Sequence, residues 1–485
     1  PDGALLNPMT ALAARYEVPT TARKDGNTPE FRRRKRRSED IKRVVIGSGR
    51  SGDGAAQSVA PSRQAENASK MLYKQLCESG RDSLIAPLKH SLPLESTFKD
   101  CLVKIAKEEM PGKPVAEWLE ERVKKTLIAA GNPIKMVTQQ LIAETIALLR
   151  YRVYWLLENY EGCRLDQCSL RHTYSGTILP GKNVDVAGGY GMLLQTAATT
   201  LPIDIRCGHR VLSIDRSSSS ERGVVVVCAA KEGGSVSEKR FIARLGCIVA
   251  LPLGVLQPIA SNPGVRDPAF VPPLPEALMG AFDRLGMCLM DKIEILFPSR
   301  WWPNGTGSLT IATESRIADD FPFGDMPWAH WIVEEDDPPI LVCYATGAFA
   351  ERIETMADEA IEWEGVEALR LAFLGDRSGK GSNITRIASI PDPVKTHVTR
   401  WRSDPFARGS WTFFKAGTRG IKDVRSFQKF NKEQGGEERL FFAGEHTCDG
   451  SVDGLDIGTV HGAYLSGTLA ANELLVQNRK NVANT

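Results

Sequence analysis

The segment that most constrains the fold lies near the C-terminus, where a short apolar strand is followed by a glycine turn and a helix. Arg439-Leu-Phe-Phe-Ala443 has the composition of a buried strand and leads directly into Gly444-Glu445. After a short loop, residues from about Thr459 to Val476 follow a helical pattern. Because the first N–H groups of a helix have no partner within it, this order favours binding of negative charge at the helix start.

A second glycine motif occurs early in the chain. Gly47-x-Gly49-x-x-Gly52 directly follows the short strand Arg43-Val-Val-Ile46 and precedes small residues that suit a helix. Glycines permit a tight turn and a close approach of the backbone to a pyrophosphate, so this order is typical of dinucleotide-binding folds. The acidic residue expected about 20 residues later, which would hold ribose hydroxyls, is not recognisable, although Glu66 and Glu78 fall near that distance.

The order of elements predicts an α/β fold with a Rossmann-like dinucleotide-binding domain that is discontinuous in sequence, accompanied by an α+β domain. The 485 residues, 42% of them hydrophobic, suffice for two or three domains. The predicted parts are a flexible basic extension at 1–40, dinucleotide-binding parts at 41–68, 166–288 and 425–478, and parts of the second domain at 69–165 and 289–424.

Individual helices and strands are predicted from the spacing of apolar residues and from turn residues. Helices are expected at 115–130, 134–160 and 358–374, and strands at 203–205, 211–214, 224–228, 247–251, 292–297 and 340–344.

Charge and cysteine content exclude several classes of protein. Lys and Arg number 61 against 59 Asp and Glu, so the whole chain is not marked as a nucleic-acid binder. The basic run Arg32–Arg37 is interpreted as a solvated arm, with a nuclear-import signal or a phosphate-contacting patch as alternatives. The ten cysteines are scattered and form no metal-ligand pattern, so they predict buried thiols in a reducing compartment. We expect no membrane association and an intracellular location, nuclear or cytoplasmic.

Four further segments, together with the C-terminal one, resemble the flavin-containing amine oxidases, the family of polyamine oxidases and flavin-type histone lysine demethylases. They occur in the family's order from about Leu156 to Leu475, and the C-terminal segment continues as Thr459-Val-His-Gly-Ala-Tyr464. The other segments are Val186-Ala-Gly-Gly-Tyr-Gly191, Arg210-Val211, Val249-Ala-Leu-Pro-Leu-Gly-Val-Leu256 and Trp401-Arg-Ser-Asp-Pro-Phe-Ala-Arg-Gly-Ser410. The resemblance implies FAD as cofactor, and it makes the Rossmann-like domain an FAD-binding domain.

The resemblance also implies roles for single residues. Lys292 is expected to be catalytic by holding a water near flavin N5, and apolar neighbours would ease loss of its proton. Phe413, Trp401 and Thr459 are expected to shape the amine pocket, with Trp411 as an alternative aromatic wall. The residues expected to bind the cofactor are Gly47, Gly49, Gly52, Val211, Gly444, Glu445, Thr459 and Val460, and no metal is expected.

The implied reaction is oxidation of a C–N bond by molecular oxygen, with aldehyde and hydrogen peroxide as products. The implied substrates are a small cationic amine, such as a polyamine, or a methyl-lysine peptide; the latter would bring association with chromatin. One family segment, a strand ending in Glu followed by an Arg and a Gly-Gly-Arg turn, is not found in this sequence. A catalytically degenerate scaffold of the same fold, without stable FAD, is therefore the alternative hypothesis.

Overall fold

The chain divides into two compact units, each assembled from separate stretches of sequence. Unit 1 comprises Pro1–Phe31, Tyr174–Met287 and Asp404–Thr485, and unit 2 comprises Arg32–Thr173 and Cys288–Ser403. In this computed structural model the described residues are 8–18, 20–22, 44–46, 57–59, 62–78, 83–89, 91–172, 184–186, 188–217, 223–232, 234–258, 266–304, 306–313, 321–324, 326–374, 389–433, 439–452 and 454–483.

The helices of the described residues are numbered in chain order. They are α1 (Pro8–Arg15), α2 (Arg63–Cys77), α3 (Phe98–Glu109), α4 (Val115–Ala129), α5 (Gln139–Val153), α6 (Asn159–Glu161), α7 (Gly189–Thr200), α8 (Leu253–Leu256), α9 (Glu276–Arg284), α10 (Gly347–Ile353), α11 (Asp358–Leu374), α12 (Ile421–Glu433) and α13 (Val460–Ala483). A π-helical turn, Tyr154–Glu158, joins α5 to α6, and 3₁₀ turns lie at Ile134–Met136 and Glu445–Thr447.

The strands are numbered in the same way. They are β1 (Thr20–Ala22), β2 (Val44–Ile46), β3 (Gln57–Val59), β4 (Val184–Val186), β5 (His209–Asp215), β6 (Val224–Glu232), β7 (Ser235–Ala243), β8 (Cys247–Val249), β9 (Ala269–Val271), β10 (Gly286–Met287), β11 (Met290–Leu296), β12 (Ser308–Thr310), β13 (Ala312–Thr313), β14 (His330–Asp336), β15 (Pro339–Thr346), β16 (Lys395–Val398), β17 (Thr412–Phe413) and β18 (Leu440–Phe442).

Unit 1 contains a four-stranded sheet in the order β7-β6-β5-β9 and a parallel pair formed by β8 and β18. Helix α12 packs on this pair because Val424, Phe427 and Phe430 recur at helical spacing and are buried. The Phe427 ring lies 5.0 Å from that of Phe282 on α9, and Phe442 of β18 completes the aromatic cluster. Apolar burial on one face of α12 thus fixes the strand that leads into the C-terminal glycine turn.

An ion pair between half-buried Arg284 and fully buried Asp423 joins α9 to α12 beside this core. Arg284 donates from Nε and Nη2 to one oxygen of Asp423, at 3.0 and 2.7 Å. The other oxygen accepts from the Arg419 backbone N–H at 2.7 Å and from the Thr418 hydroxyl at 3.2 Å. Asp423 is 1% exposed and has almost no contact with water. These donors therefore stabilise its charge in place of water.

Unit 2 is built on the antiparallel sheet β12-β14-β15-β11-β16, with α10 and α11 contributing to its core. Side chains of β11 alternate between faces, so Ile293 and Ile295 are buried while Lys292 is exposed. The remainder of unit 2 is largely helical between residues 63 and 161. Thr97 begins α3 with a reciprocal capping box to Asp100, which satisfies backbone donors at that helix start.

Many predicted elements are present, among them the helix at 358–374 and strands overlapping 211–214, 224–228 and 340–344. The strand predicted at 203–205 is wrong. Ile203 and Ile205 are 54% and 57% exposed and lie in irregular structure. Alternation of apolar residues was present there, but no neighbouring strand pairs with it among the described residues.

The predicted flexible extension also differs from the structure. Residues 8–15 form α1, and Met9, Leu12 and Ala13 are buried in a small cluster with Leu193 of α7. The basic run at 32–37 lies outside the described residues.

The units divide the chain differently from the predicted domains. Residues 404–424 were assigned to the second domain but lie in unit 1, where β17 pairs with β10. Residues 41–68 were assigned to the dinucleotide-binding domain but lie in unit 2, where β2 pairs in parallel with β13. The helix predicted directly after the first glycine motif lies outside the described residues, and the next described segment, β3, pairs antiparallel with β2. Local sequence pattern does not specify these long-range pairings.

We predict that Asp423→Ala lowers the free energy of unfolding by about 3–5 kcal/mol, because it leaves the Arg284 guanidinium without its counter-charge. Chemical denaturation measures the change. Asp392→Ala is the matched control, since the Asp392 side chain is 89% exposed in its pair with Arg370 and should contribute about 0–1 kcal/mol. Equal effects of the two substitutions would contradict this account of the unit 1 core.

Candidate active site

The C-terminal strand, turn and helix predicted from sequence are present in unit 1. Buried β18 leads through Ala443 to Gly444, whose φ of +132° favours glycine. A Cβ at Gly444 would lie 2.6 Å from the His446 ring, so the turn also requires the absence of a side chain. Ser466 of α13 accepts a hydrogen bond from the Gly444 N–H at 2.9 Å, which ties the turn to the helix.

The half-buried Glu445 carboxylate connects three parts of this site. One oxygen accepts from the Thr412 backbone N–H at 3.2 Å and from its hydroxyl at 2.6 Å. The other accepts from the Gly458 N–H at 2.7 Å. Burial raises the pKa of Glu445, while the hydrogen bonds from Thr412 and Gly458 act in the opposite direction. The carboxylate therefore acts as a tie between β17 and the loop that precedes α13, a role that the sequence did not indicate.

The start of α13 presents backbone donors. Thr459 accepts from the Gly462 N–H at 3.0 Å and donates its hydroxyl to the Asp456 carbonyl at 2.7 Å, so its side chain is occupied as a helix cap. The N–H groups of Val460 and His461 have no acceptor within the helix, as at any helix start. Val460 is 49% exposed. This geometry can stabilise negative charge next to Val460.

The predicted pocket residue Phe413 and the alternative Trp411 differ in exposure and in the glycine that each contacts. Phe413 is 6% exposed, and its ring covers Gly286 so closely that a side chain at Gly286 would collide with it. Trp411 is half-buried, and a Cβ at Gly458 would lie 3.1 Å from its Cδ1. Trp411, the alternative in the sequence analysis, is thus the aromatic residue that reaches the start of α13.

Lys292 and Trp401 lie in unit 2. Lys292 is exposed, so the expectation that apolar neighbours desolvate it is wrong. Its Nζ lies 5.6 Å from the centroid of Tyr344, the residue opposite it on β15. The Lys292 backbone N–H donates to the Thr399 hydroxyl at 2.8 Å, in the segment that carries Trp401, which is 44% exposed. Strand alternation explains the exposure, because Ile293 and Ile295 occupy the core face.

The other segments singled out from sequence have clear structural roles in unit 1. Gly188 and Gly189 adopt φ of +74° and +76° and form the predicted turn before α7. Gly254 packs so closely on the carbonyls of Ala407 and Arg408 that a Cβ would lie 2.6 Å from each oxygen. Val211 lies on β5 with its side chain against the unit 1 core. Gly47, Gly49 and Gly52 lie outside the described residues.

His446 is a buried titratable residue that the sequence analysis did not single out for chemistry. It is 1% exposed, and its ring packs edge-on against Phe427 at 5.0 Å. Burial lowers the pKa of His446 to about 3, so it is neutral near pH 7. Its role is to fill the space under the Gly444 turn.

Comparison with known proteins places these segments in one family. Residues 7–475 match the sequence model of the flavin containing amine oxidoreductases. The chain belongs to this family. Its members include proteins named as histone demethylases and as polyamine oxidases, and both groups are among the relatives of this chain.

Two relatives illustrate these two groups of proteins. The chain is 31% identical over 331 residues to "Possible lysine-specific histone demethylase 1" of Drosophila melanogaster, covering 66% of this chain and 33% of that protein. It is 28% identical to "Polyamine oxidase 3" of Oryza sativa subsp. japonica, covering 78% of this chain and 71% of that protein. The chain therefore spans about a third of the length of the histone demethylase and most of the polyamine oxidase.

The fold agrees with a solved structure. A putrescine oxidase double mutant aligns with a TM-score of 0.52 at 15% identity, covering 96% of this chain and 85% of that protein. The fold is thus an FAD-binding Rossmann-like domain with a substrate-binding domain, as predicted. Among the described residues, no helix is both long enough and apolar enough to cross a membrane.

FAD is the cofactor of this family, and the residues at the C-terminal turn fit it. The N–H groups of Val460 and His461 are donors suited to an anionic flavin edge. Gly189 and Gly191 have open space where a Cβ would be, so their backbone is accessible to a ligand. The donor set and the glycine positions are therefore compatible with a dinucleotide that has a negatively charged ring edge.

We predict that Glu445→Gln lowers the free energy of unfolding by about 1.5–3 kcal/mol, because an amide NH₂ would face an N–H donor that the carboxylate now satisfies. Denaturant titration of the variant measures this. Glu433→Gln, at a carboxylate that is 58% exposed on α12, is the control and should leave stability nearly unchanged. A fully stable Glu445→Gln variant would show that the three hydrogen bonds do not fix the turn.

Proposed function

We propose that this chain is an FAD-dependent amine oxidase that oxidises the C–N bond of a polyamine or a methylated lysine and releases an aldehyde and hydrogen peroxide. The observation that carries the proposal is the tie made by Glu445, which fixes the start of α13 in a chain that matches the flavin-containing family over residues 7–475. When bound, FAD would supply the two-electron redox chemistry: loss of a hydride from the carbon beside the nitrogen leaves an imine, water converts the imine to the aldehyde and the shorter amine, and oxygen is reduced to peroxide.

The chain's own residues are proposed to bind the cofactor and to position a water and the substrate. The backbone N–H groups of Val460 and His461 would hold the flavin's anionic edge, and Glu445 would keep these donors in place by holding Gly458. The exposed ammonium of Lys292 donates to a water and is steadied by the ring of Tyr344. Glycine at 458 and the capping Thr459 leave this side of the pocket without a second aromatic residue.

Trp411 of unit 1 is the proposed aromatic wall for the cationic substrate, and Trp401 of unit 2 is a separate candidate for the same role. Both retain exposed or half-exposed ring surface, whereas Phe413 is buried on Gly286. An aromatic face attracts an ammonium or methylammonium group through its quadrupole, and burial of that face would prevent the contact.

The deciding experiment combines absorption and peroxide release on the purified chain supplied with FAD. The visible absorption of bound oxidised flavin, with peroxide release on spermine or on a dimethyl-lysine peptide, is the expected result. The preferred substrate separates the polyamine oxidase from the histone demethylase function. A flavin-bound protein that releases no peroxide with either substrate would contradict the proposed activity.

One observation favours a second function, a partner-binding scaffold without stable FAD. Residues Gln57–Val59 form β3 and pair antiparallel with β2, whereas a dinucleotide-binding unit has a helix that follows its glycine motif and receives the pyrophosphate. A colourless, cooperatively folded protein in the presence of FAD would support the scaffold and exclude the enzyme.

We predict that Lys292→Met lowers the rate of amine oxidation by roughly 10²-fold or more, because the water held by its ammonium is lost. Stopped-flow measurement of flavin reduction and reoxidation identifies the affected step. Lys395→Met, at an exposed lysine on the neighbouring strand β16, is the control and should retain wild-type rates. An unchanged rate in the Lys292 variant would remove its proposed role.

We also predict that Trp411→Leu raises the KM for the amine by about 3- to 30-fold, the loss expected for one cation–π contact. Steady-state peroxide assays measure KM and kcat separately. Phe413→Leu is the matched control and should change KM less, because that ring is buried on Gly286. The reverse order would restore Phe413 as the pocket residue.

A further inference from the structure

The segment that carries Trp401 is fastened by two carboxyl groups of unit 2. Asp291 lies on β11, and Glu354 directly follows α10. Together they accept hydrogen bonds from four residues of this segment, Thr399, Trp401, Arg402 and Ser403. A short segment with no regular structure thus takes its position largely from two acidic side chains.

Asp291 is completely buried. Its Oδ1 accepts from the Trp401 backbone N–H at 3.0 Å and from the Thr399 hydroxyl at 3.1 Å. Its Oδ2 accepts no hydrogen bond within the described part of the chain. The Asp291 carboxyl is therefore only half satisfied when ionised, although it directly holds the residue proposed to line the amine pocket.

Glu354 holds the next two residues. It accepts from the Arg402 backbone N–H at 2.6 Å, from the Ser403 N–H at 3.1 Å, and from the Ser403 hydroxyl. The charge of Glu354 and a side-chain hydrogen bond with it both raise the pKa of the neighbouring Asp291. Two carboxyl groups in contact repel each other when both are ionised, and they form a strong hydrogen bond when they share one proton.

The cations around this pair are bound to other acids. Arg402 and Arg164 pair with Glu351 at 3.2 and 3.7 Å, Arg352 pairs with Glu364 at 2.7 Å, and Arg400 pairs with Asp358 at 2.6 Å. Lys292 extends from the opposite face of β11. Among the described residues, no cation forms an ion pair with Asp291.

We propose that Asp291 is a positioning residue that shares a proton with Glu354 and thereby holds Trp401 in place. The proton gives Asp291 Oδ2 a hydrogen bond to Glu354 and removes the repulsion between the two groups. The position of Trp401 is then set by pH. The effect on amine binding rests on the proposed function, but the position of the Trp401 segment does not.

Burial, with the nearby Glu354 charge contributing, raises the pKa of Asp291 to about 6 from its ordinary value of 3.8. The folded protein therefore binds this proton more tightly than the unfolded chain does. Between the two values stability falls as pH rises, and the stabilisation by the shared proton is lost once pH exceeds about 6. The fastening of residues 399–403 should loosen over the same range.

The test is a pH titration of the fluorescence of Trp401, isolated by subtracting the spectrum of Trp401→Phe, since the chain has nine tryptophans. We expect one transition near pH 6 in the wild type. Asp291→Asn keeps an acceptor for Trp401 and gives a donor to Glu354, so it mimics the protonated form. Its Trp401 signal should stay at the acid value across the range. A transition that persists in Asp291→Asn would overturn the proposal.

A second variant covers the case in which Asp291→Asn fails to fold. Glu354→Gln removes the neighbouring charge and offers a donor to ionised Asp291, so the midpoint should move down by roughly one pH unit or more. An unchanged midpoint would overturn the proposal. Asp166→Asn, at an exposed acid paired with Arg164, is the control and should leave the midpoint in place.

The KM for the amine, measured over the same pH range, separates this inference from the proposed function. If the Asp291 inference and the proposed function are both correct, the KM changes near pH 6 in the wild type and is constant in Asp291→Asn. A fluorescence transition with a flat KM would retain the Asp291–Glu354 pair and reject Trp401 as a pocket wall. A flat fluorescence signal in the wild type would reject the pair itself.

Discussion

The half-buried carboxylate of Glu445 is the interaction on which the C-terminal site depends. Its two oxygens accept three hydrogen bonds, from the Thr412 N–H and hydroxyl and from the Gly458 N–H. These contacts connect β17, which Trp411 directly precedes, to the loop before α13. A charge in this position is tolerated because each oxygen has a donor, so the cost of desolvation is offset by hydrogen bonds that hold a ligand-binding backbone in place.

Asp291 shows the opposite condition in unit 2. It is an acid on β11, but only one of its oxygens accepts hydrogen bonds, and the charged neighbour that raises its pKa is another acid. Burial raises the pKa of both carboxyls. The two sites differ in the groups around the acid: hydrogen bonds from Thr412 and Gly458 counter the effect of burial at Glu445, whereas the Glu354 carboxyl adds to it at Asp291.

Particular elements show where the local sequence pattern was sufficient to predict secondary structure and where it was not. The helix predicted at 358–374 is present with those bounds, because apolar periodicity and acidic residues in its first turn specify it locally. Ile203-Asp-Ile205 has an equally regular alternation and is not a strand, because a strand requires a neighbour. Likewise β2 was predicted correctly, but its partners β13 and β3 depend on residues that its own sequence does not identify.

The sequence by itself determined the family and the motifs, because the glycine turns and the order strand, Gly-Glu, helix reflect backbone conformations that only certain residues allow. The tertiary structure decided which side chains are available for chemistry. It buries Phe413 on Gly286, places Trp411 beside Gly458, exposes Lys292, and brings Asp291 to Trp401 and Glu354. Exposure and hydrogen-bond partners depend on residues distant in the chain, so no local pattern contains them.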